Sequence, residues 1–190
     1  TGGSSEWTES IQNQVRRLSG LVQSLLTLSR MEEEPGTLPF TDFVLSDAVE
    51  ETAQSFAALA QSQGKTLSLS VQPGLVMKGE ESGIRQVVSI LLDNAVKYCD
   101  PGGTIRLDVS QRGRNICISI SNPCSGVDTA QLPRYFDRFF RADSSRDRST
   151  GGYGIGLSTA KAIVTRHRGR ISNRYAAGII TFTAIIPQAG

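Results

Sequence analysis

The stretch Gly151–Ser158, GGYGIGLS, has the residue types and spacing to hold an anion. Four glycines fall within six residues, and Ile155, Leu157, Ala160, Ile163 and Val164 then recur at helical spacing. Glycine lets backbone N–H groups approach a ligand closely and adopts positive φ without steric cost. A helix starting directly after such a loop offers unpaired N–H groups and a positive dipole end, which suits phosphate. An ordinary loop entering a helix has the same spelling. It is not a Walker A loop, because Leu157 and Ser158 follow Gly156 where Lys-Ser/Thr would be needed. A dinucleotide fingerprint needs a strand just upstream, and residues 141–150, RADSSRDRST, are polar and charged without strand alternation.

A second set of chemical groups lies in LLDNAVKY, residues 91–98. Asn94, Lys97 and Tyr98 are three to four residues apart and share one helix face. An amide oxygen can ligate Mg²⁺, an ammonium can meet phosphate, and an aromatic ring can cover a purine. A solvated helix face would also read this way.

Elements must position these groups. Residues 6–30 read as one helix with apolar Ile11, Val15, Leu18, Val22 and Leu25, widened by Leu21 and Leu28. That is the stripe of a bundle helix. Residues 31–39, MEEEPGTLP, end it with an acidic run and two prolines. The expected division is therefore 1–34 helix, 35–39 linker and 40–190 globular domain. Within that domain, 40–45 reads as a strand and Ser46-Asp47 as the cap of a helix burying Val49, Ala53, Phe56, Ala57 and Ala60, stopped by Gly64. Strands follow at 65–71 and 76–77, and a helix at 80–98. A hairpin covers 104–110 and 115–121, and a short helix covers 131–140. After the glycine loop come a helix to His167 and a hairpin turned at Ala177-Gly178. Hairpin strands beside a few helices predict an α+β two-layer sandwich, with helices on one face of a mixed sheet.

Composition sets outer bounds. The chain has 190 residues, 38% hydrophobic and 20% charged, with a formal net charge of +2. That charge is too small to argue for nucleic acid or an anionic membrane. No apolar run reaches the ~20 residues of a membrane-spanning helix. Cys99, Cys117 and Cys124 are an odd set without CxxC spacing, which predicts reduced thiols and no zinc site. The polar start without Met predicts a fragment of a longer protein.

LLDNAVKY, FDRFFRAD (136–143) and GGYGIGLS, in this order and closed by HRGRI (167–171), resemble the sensor histidine kinases of two-component signalling. The family's asparagine, phenylalanine and distal glycine boxes are all legible. LVQSLLTLSRMEE (21–33) resembles the second helix of that family's dimerisation and phosphotransfer domain. The resemblance covers nearly the whole chain and implies the Bergerat, or GHKL, fold. It implies Asn94 as a Mg²⁺ ligand, Lys97 as a phosphate contact and Tyr98 as the aromatic against adenine. Arg141 and Arg146 match lid arginines that reach the terminal phosphates, within a lid over ATP at roughly 138–153. Gly152, Gly154 and Gly156 would approach the phosphates, flanked by Ile155 and Leu157. Gly126 and Val127 belong to the proximal glycine box. The implied cofactors are ATP and Mg²⁺. The implied partners are a response-regulator receiver domain and a second copy through the N-terminal helix, in a cytoplasmic portion anchored to a membrane only through upstream segments.

Three departures qualify that reading. In NPCSGV (122–127), Asn122 stands where the family has the aspartate that accepts from the adenine amino group, and Cys124 replaces a glycine. An amide oxygen still accepts such a bond, without the charge. Ile90 stands where related ATPases carry the glutamate that activates water, so efficient hydrolysis is not expected. The acceptor histidine of the family lies upstream of residue 1. His167, the single histidine, is expected to be structural, so the fragment alone should bind ATP without autophosphorylating. Two other functions compete: a degenerate, weakly nucleotide-binding regulatory or dimerisation scaffold, and an ATPase of the chaperone and gyrase type.

Overall fold

In the computed structural model the described residues are 40–141, 154–188 and nine single positions between 7 and 29. β1 (Thr41–Val44) runs directly into α1 (Leu45–Ser62). β2 (Thr66–Val71), β3 (Val76–Gly79), α2 (Glu81–Tyr98), β4 (Thr104–Arg112) and β5 (Asn115–Pro123) follow. A 3₁₀ turn (Thr129–Arg134), α3 (Gly156–Arg166), β6 (Arg170–Ala176) and β7 (Ile179–Pro187) complete the order that periodicity predicts.

Five strands form one sheet in the order β2-β4-β5-β7-β6. β2 and β4 pair in parallel and the rest antiparallel, so the sheet is mixed as expected. A parallel pair needs a crossover connection, and β3 with α2 supplies it. β1 and β3 pair separately as a small antiparallel sheet, a division the alternation alone does not announce. One face of the large sheet carries Leu107, Ile118, Ile120, Phe182 and their neighbours, all buried. The other face carries short polar side chains, such as the Ser119 and Thr183 hydroxyls 3.3 Å apart. The helices pack on the apolar face, with α2 between α1 and α3. This is the two-layer sandwich.

α2 occupies the centre because its stripe is complete. Ile84, Val87, Val88, Leu91, Leu92 and Ala95 are all buried, the set its 3.6-residue period predicts. The hairpin at Ala177-Gly178 has positive φ at both central residues, 50° and 77°, which matches the twist of the flanking strands.

Three local expectations are corrected. α1 begins at Leu45, with Val44 as N-cap, so Ser46-Asp47 does not cap it. Ser46 Oγ instead donates to Gln72 O and accepts from Leu75 N–H, at 2.7 and 2.9 Å, tying the helix start to the β2–β3 turn. Ala57 is exposed, because the buried stripe runs through Val49, Ala53 and Ala60, and Ala57 falls on its outer shoulder. The short helix at 131–140 is a 3₁₀ turn that stops at Arg134. Pro133 removes a donor there, and Asp128 caps the turn through Ala130 N–H at 3.0 Å.

Candidate functional site

The end of β5 carries the first of the candidate groups. Alternation places Ile116, Ile118, Ile120 and then Asn122 on the inward face. Asn122 is only 2% exposed, a polar side chain at a core position. Its Nδ2 donates to Pro123 O at 3.0 Å. A carbonyl accepts and cannot donate, so it faces the amide nitrogen and leaves Oδ1 as the acceptor. The turn beyond is held from α2: Asp100 accepts from Ser125 N–H and from Ser125 Oγ–H, each at 2.9 Å. Gly126 follows at φ 74° and is exposed, while Val127 is half-buried. Sequence reasoning missed Asp100 as the residue shaping this turn. The Asp-Pro-Gly spelling at 100–102 marks a turn, but not the side chain's reach across to 125.

α2 supplies the next groups. Asn94 and Lys97 are half-buried, and Tyr98 is 41% exposed at the helix end. Lys97 Nζ bonds the Asp93 carboxylate at 2.6 Å, so an incoming phosphate would compete with that carboxylate. Ile90 lies one turn before Asn94 on the same face. A Cβ on Gly156 would stand 3.4 Å from Ile90 Cγ2, so this face of α2 looks onto the start of α3. Asn94 therefore faces the region where the distal glycines lead into α3. Among the described residues no cluster of acidic, histidine or cysteine ligands could hold a metal by itself. A Mg²⁺ carried in on phosphate oxygens needs only one or two protein ligands, which the single amide oxygen of Asn94 fits.

The distal loop joins the phenylalanine box through its backbone. Gly154 has φ 69°, and its C=O accepts from Phe139 N–H at 2.8 Å. A Cβ at Gly154 would stand 2.6 Å from Phe140 O. The box is anchored by Phe136, edge-on to Phe182 at 6.1 Å, and by Tyr135 between Phe140 and Phe182. The Arg134 guanidinium lies 4.5 Å from the Phe140 ring centre. Phe139 points outward, 65% exposed, at φ 61°. Non-glycine residues avoid that conformation at a cost of about 1–2 kcal/mol, and strain of this kind gathers at working sites. Ile155 is buried at the entry to α3, and its C=O accepts from Ser158 Oγ and Thr159 Oγ1. Gly156 and Leu157 form the first turn, half-buried. Arg141 is exposed and is the last described residue before position 154. Arg146 and Gly152 lie outside the described residues.

His167 sits apart from these groups, beside the start of α2. It is buried, stacks on Phe40 at 4.6 Å, donates through Nδ1 to Ile163 O and accepts from Glu80 N–H at Nε2. Both ring nitrogens are used, which fixes the neutral tautomer. Burial holds its pKa below the ordinary histidine range. Its role is structural, as expected.

The family model described as histidine kinase-, DNA gyrase B- and HSP90-like ATPase matches residues 79–189. Sensor protein DltS of Streptococcus agalactiae is 33% identical over 165 residues, covering 87% of this chain and 42% of DltS. Phosphate regulon sensor protein PhoR of Pseudomonas aeruginosa is 35% identical over 166 residues, covering 86% and 37%. The chain thus spans less than half the length of these curated relatives. Full-length ShkA, solved in complex with AMPPNP, superposes with a TM-score of 0.82 at 20% identity, covering all of this chain and 40% of ShkA. Histidine kinase ThkA, solved with the response regulator protein TrrA, superposes at 0.78 and 20% identity, covering 99% and 52%.

Proposed function

The chain belongs to the family of histidine kinase-, DNA gyrase B- and HSP90-like ATPases, and on that premise we propose that it is the nucleotide-binding kinase portion of a sensor histidine kinase. One observation carries the reading. The face of α2 that carries Asn94 meets the start of α3 at Ile90 and Gly156, and Gly154, two residues upstream, joins the phenylalanine box through Phe139. Asn122 Oδ1 accepts from the adenine amino group, and Tyr98 lies against the base. Gly126 and Val127 line its far side. Lys97, released from Asp93, meets phosphate oxygens, as do backbone N–H groups of Gly152, Gly154, Ile155, Gly156 and Leu157 at the entry to α3. Arg141 and Arg146 draw over the terminal phosphates as the lid closes. Mg²⁺ bound with the nucleotide would be held by Asn94 and would supply neutralisation of phosphate charge.

The γ-phosphoryl group passes in line to a histidine nitrogen outside these residues, and from there to an aspartate of a response regulator. ThkA's co-structure with TrrA supports that class of partner. The N-terminal helix pairs with that of a second copy. The catalytic portion works in the cytoplasm, and no described helix is long and apolar enough to cross a membrane. Ile90, against Gly156, offers no base for water, so hydrolysis is slow. The second reading, a weakly binding regulatory scaffold, draws on Asn122, Cys124 and Ile90, and on the Lys97–Asp93 ion pair.

Calorimetry with a non-hydrolysable ATP analogue and Mg²⁺ tests the proposal. Saturable binding that weakens at least about tenfold in Asn94→Ala is expected, the loss of a metal contact. No detectable heat at millimolar analogue would refute it. Phosphotransfer by a longer chain carrying the upstream histidine separates kinase from scaffold.

A further inference from the structure

Two of the three cysteines, Cys99 and Cys124, flank one backbone hydrogen bond between the end of α2 and the end of β5, and the proposed nucleotide chemistry uses neither. The hydrogen bond from Asp100 N–H to Pro123 O, 2.9 Å, joins the 99–100 peptide group to the 123–124 peptide group. Cys99 and Cys124 are each the residue next to that bond. The Asp100 carboxylate makes a second stitch to Ser125, on the other side of Cys124. A Cβ on Gly103 would stand 2.6 Å from Cys99 Sγ and 3.3 Å from Pro123 Cγ, so the sulfur borders the proline that precedes Cys124. Cys99 is buried in the core, and the half-buried Cys124 packs against that core. Cys99 is near enough to Cys124 to act on its thiol electrostatically, and a disulfide spans Cα atoms about 4.4–6.8 Å apart.

We propose that Cys99 and Cys124 form a reversible dithiol–disulfide site, oxidised by small disulfides of the glutathione type. The more accessible Cys124 loses its proton and attacks a sulfur of oxidised glutathione, which forms a mixed disulfide and releases one reduced glutathione. Cys99 then loses its proton and displaces the second glutathione. The chain gives up two protons and two electrons, and one oxidised glutathione becomes two reduced ones.

Burial raises both thiols above their ordinary range, and the Asp100 carboxylate adds to this. Lys65, whose Nζ donates to Val96 O at 2.5 Å, pulls Cys99 the other way. The resting state is the dithiol, and exchange quickens as pH rises.

The bond would tie the α2 end, with Tyr98, to the strand end carrying Asn122. On the nucleotide-binding reading, which this consequence alone rests on, the oxidised form binds the ATP analogue at least about fivefold more weakly. Saturating analogue then shifts the glutathione ratio at half-oxidation by the same factor, since coupling between sites is reciprocal.

Equilibration in glutathione buffers, acid quench, alkylation and peptide mass spectrometry test the site. The expected product is a 99–124 linked peptide, reversed by dithiothreitol and retained in Cys117→Ser. Cys99→Ser, or Cys99→Ala where serine disturbs the core, should stop at a glutathione adduct on Cys124. Accumulation of that adduct in the unaltered chain without the linked peptide overturns the proposal, as does linkage through Cys117. Equal analogue affinity of the two redox forms overturns the coupling. Linkage in a chain that binds no nucleotide in either form keeps the thiol site and sinks the kinase reading. Binding without linkage does the reverse.

Discussion

His167 shows how one side chain can be needed without touching the chemistry. Its neutral ring joins the start of α2 to the end of α3, with Glu80 and Arg166 as the charged groups beside it. Because burial lowers its pKa in the fold, the unfolded chain takes up a proton first as pH falls. The stabilisation is fully present above about pH 6.5, the ordinary histidine value, and is lost below it toward the folded-state pKa. Urea melts should show stability falling by up to about 1.4 kcal/mol per pH unit in that window. His167→Ala should lose that slope and about 2–4 kcal/mol at neutral pH. A slope that survives the substitution assigns the titration elsewhere. A lone histidine at a helix end beside Gly169 reads as structural in the sequence, and it is. Its partner Glu80 is 87 residues away, a separation no local pattern reports. Asn122 differs: alternation puts it on the inward face, and its amide bonds the carbonyl of the very next residue, Pro123.

At the scale of elements, periodic patterns carried the most information. The α2 stripe, the two hairpins and the glycine entry to α3 were all legible, because each repeats one physical preference over many residues. Serine is a residue type that suits a cap, yet the chain uses the Ser46 hydroxyl across 26 residues instead. Ser46→Ala should strand the buried Leu75 N–H and cost about 1–3 kcal/mol by chemical denaturation, with no change in analogue affinity. The short helix expected at 131–140 stops at Arg134, and beyond it Tyr135 and Phe136 instead hold the box against Phe182. At the lid junction, Gly154→Val meets both a positive φ and the Phe140 carbonyl. Displacing the junction should abolish analogue binding while far-UV circular dichroism and the melting temperature stay close to the parent's. Retained affinity would exclude this junction from the site.

Among the described residues two apolar surfaces stand out, the buried core of the sandwich and an exposed stripe on the N-terminal helical positions. The described positions between 7 and 29 are helical, and Trp7, Ile11, Val15, Leu18, Val22 and Leu26 are all exposed. The sequence stripe anticipated Ile11, Val15, Leu18 and Val22; Leu21, Leu25 and Leu28 lie outside the described residues. A long apolar stripe without cover favours pairing with a like helix. Sedimentation should show concentration-dependent dimers that Leu18→Glu abolishes; a monomer at every concentration would exclude the pairing. Strand order was the least legible feature, since alternation marks a strand's faces but not its neighbours. That order has a consequence for synthesis. β5 is central, but its second neighbour is β7, the last strand to be made, and β6 reaches the sheet only through β7. Until β7 has left the ribosome, β5 is paired on one side only, to β4, and the strand bearing Asn122 presents an open backbone edge. The adenine end of the proposed site is therefore among the last parts of a nascent chain to take shape.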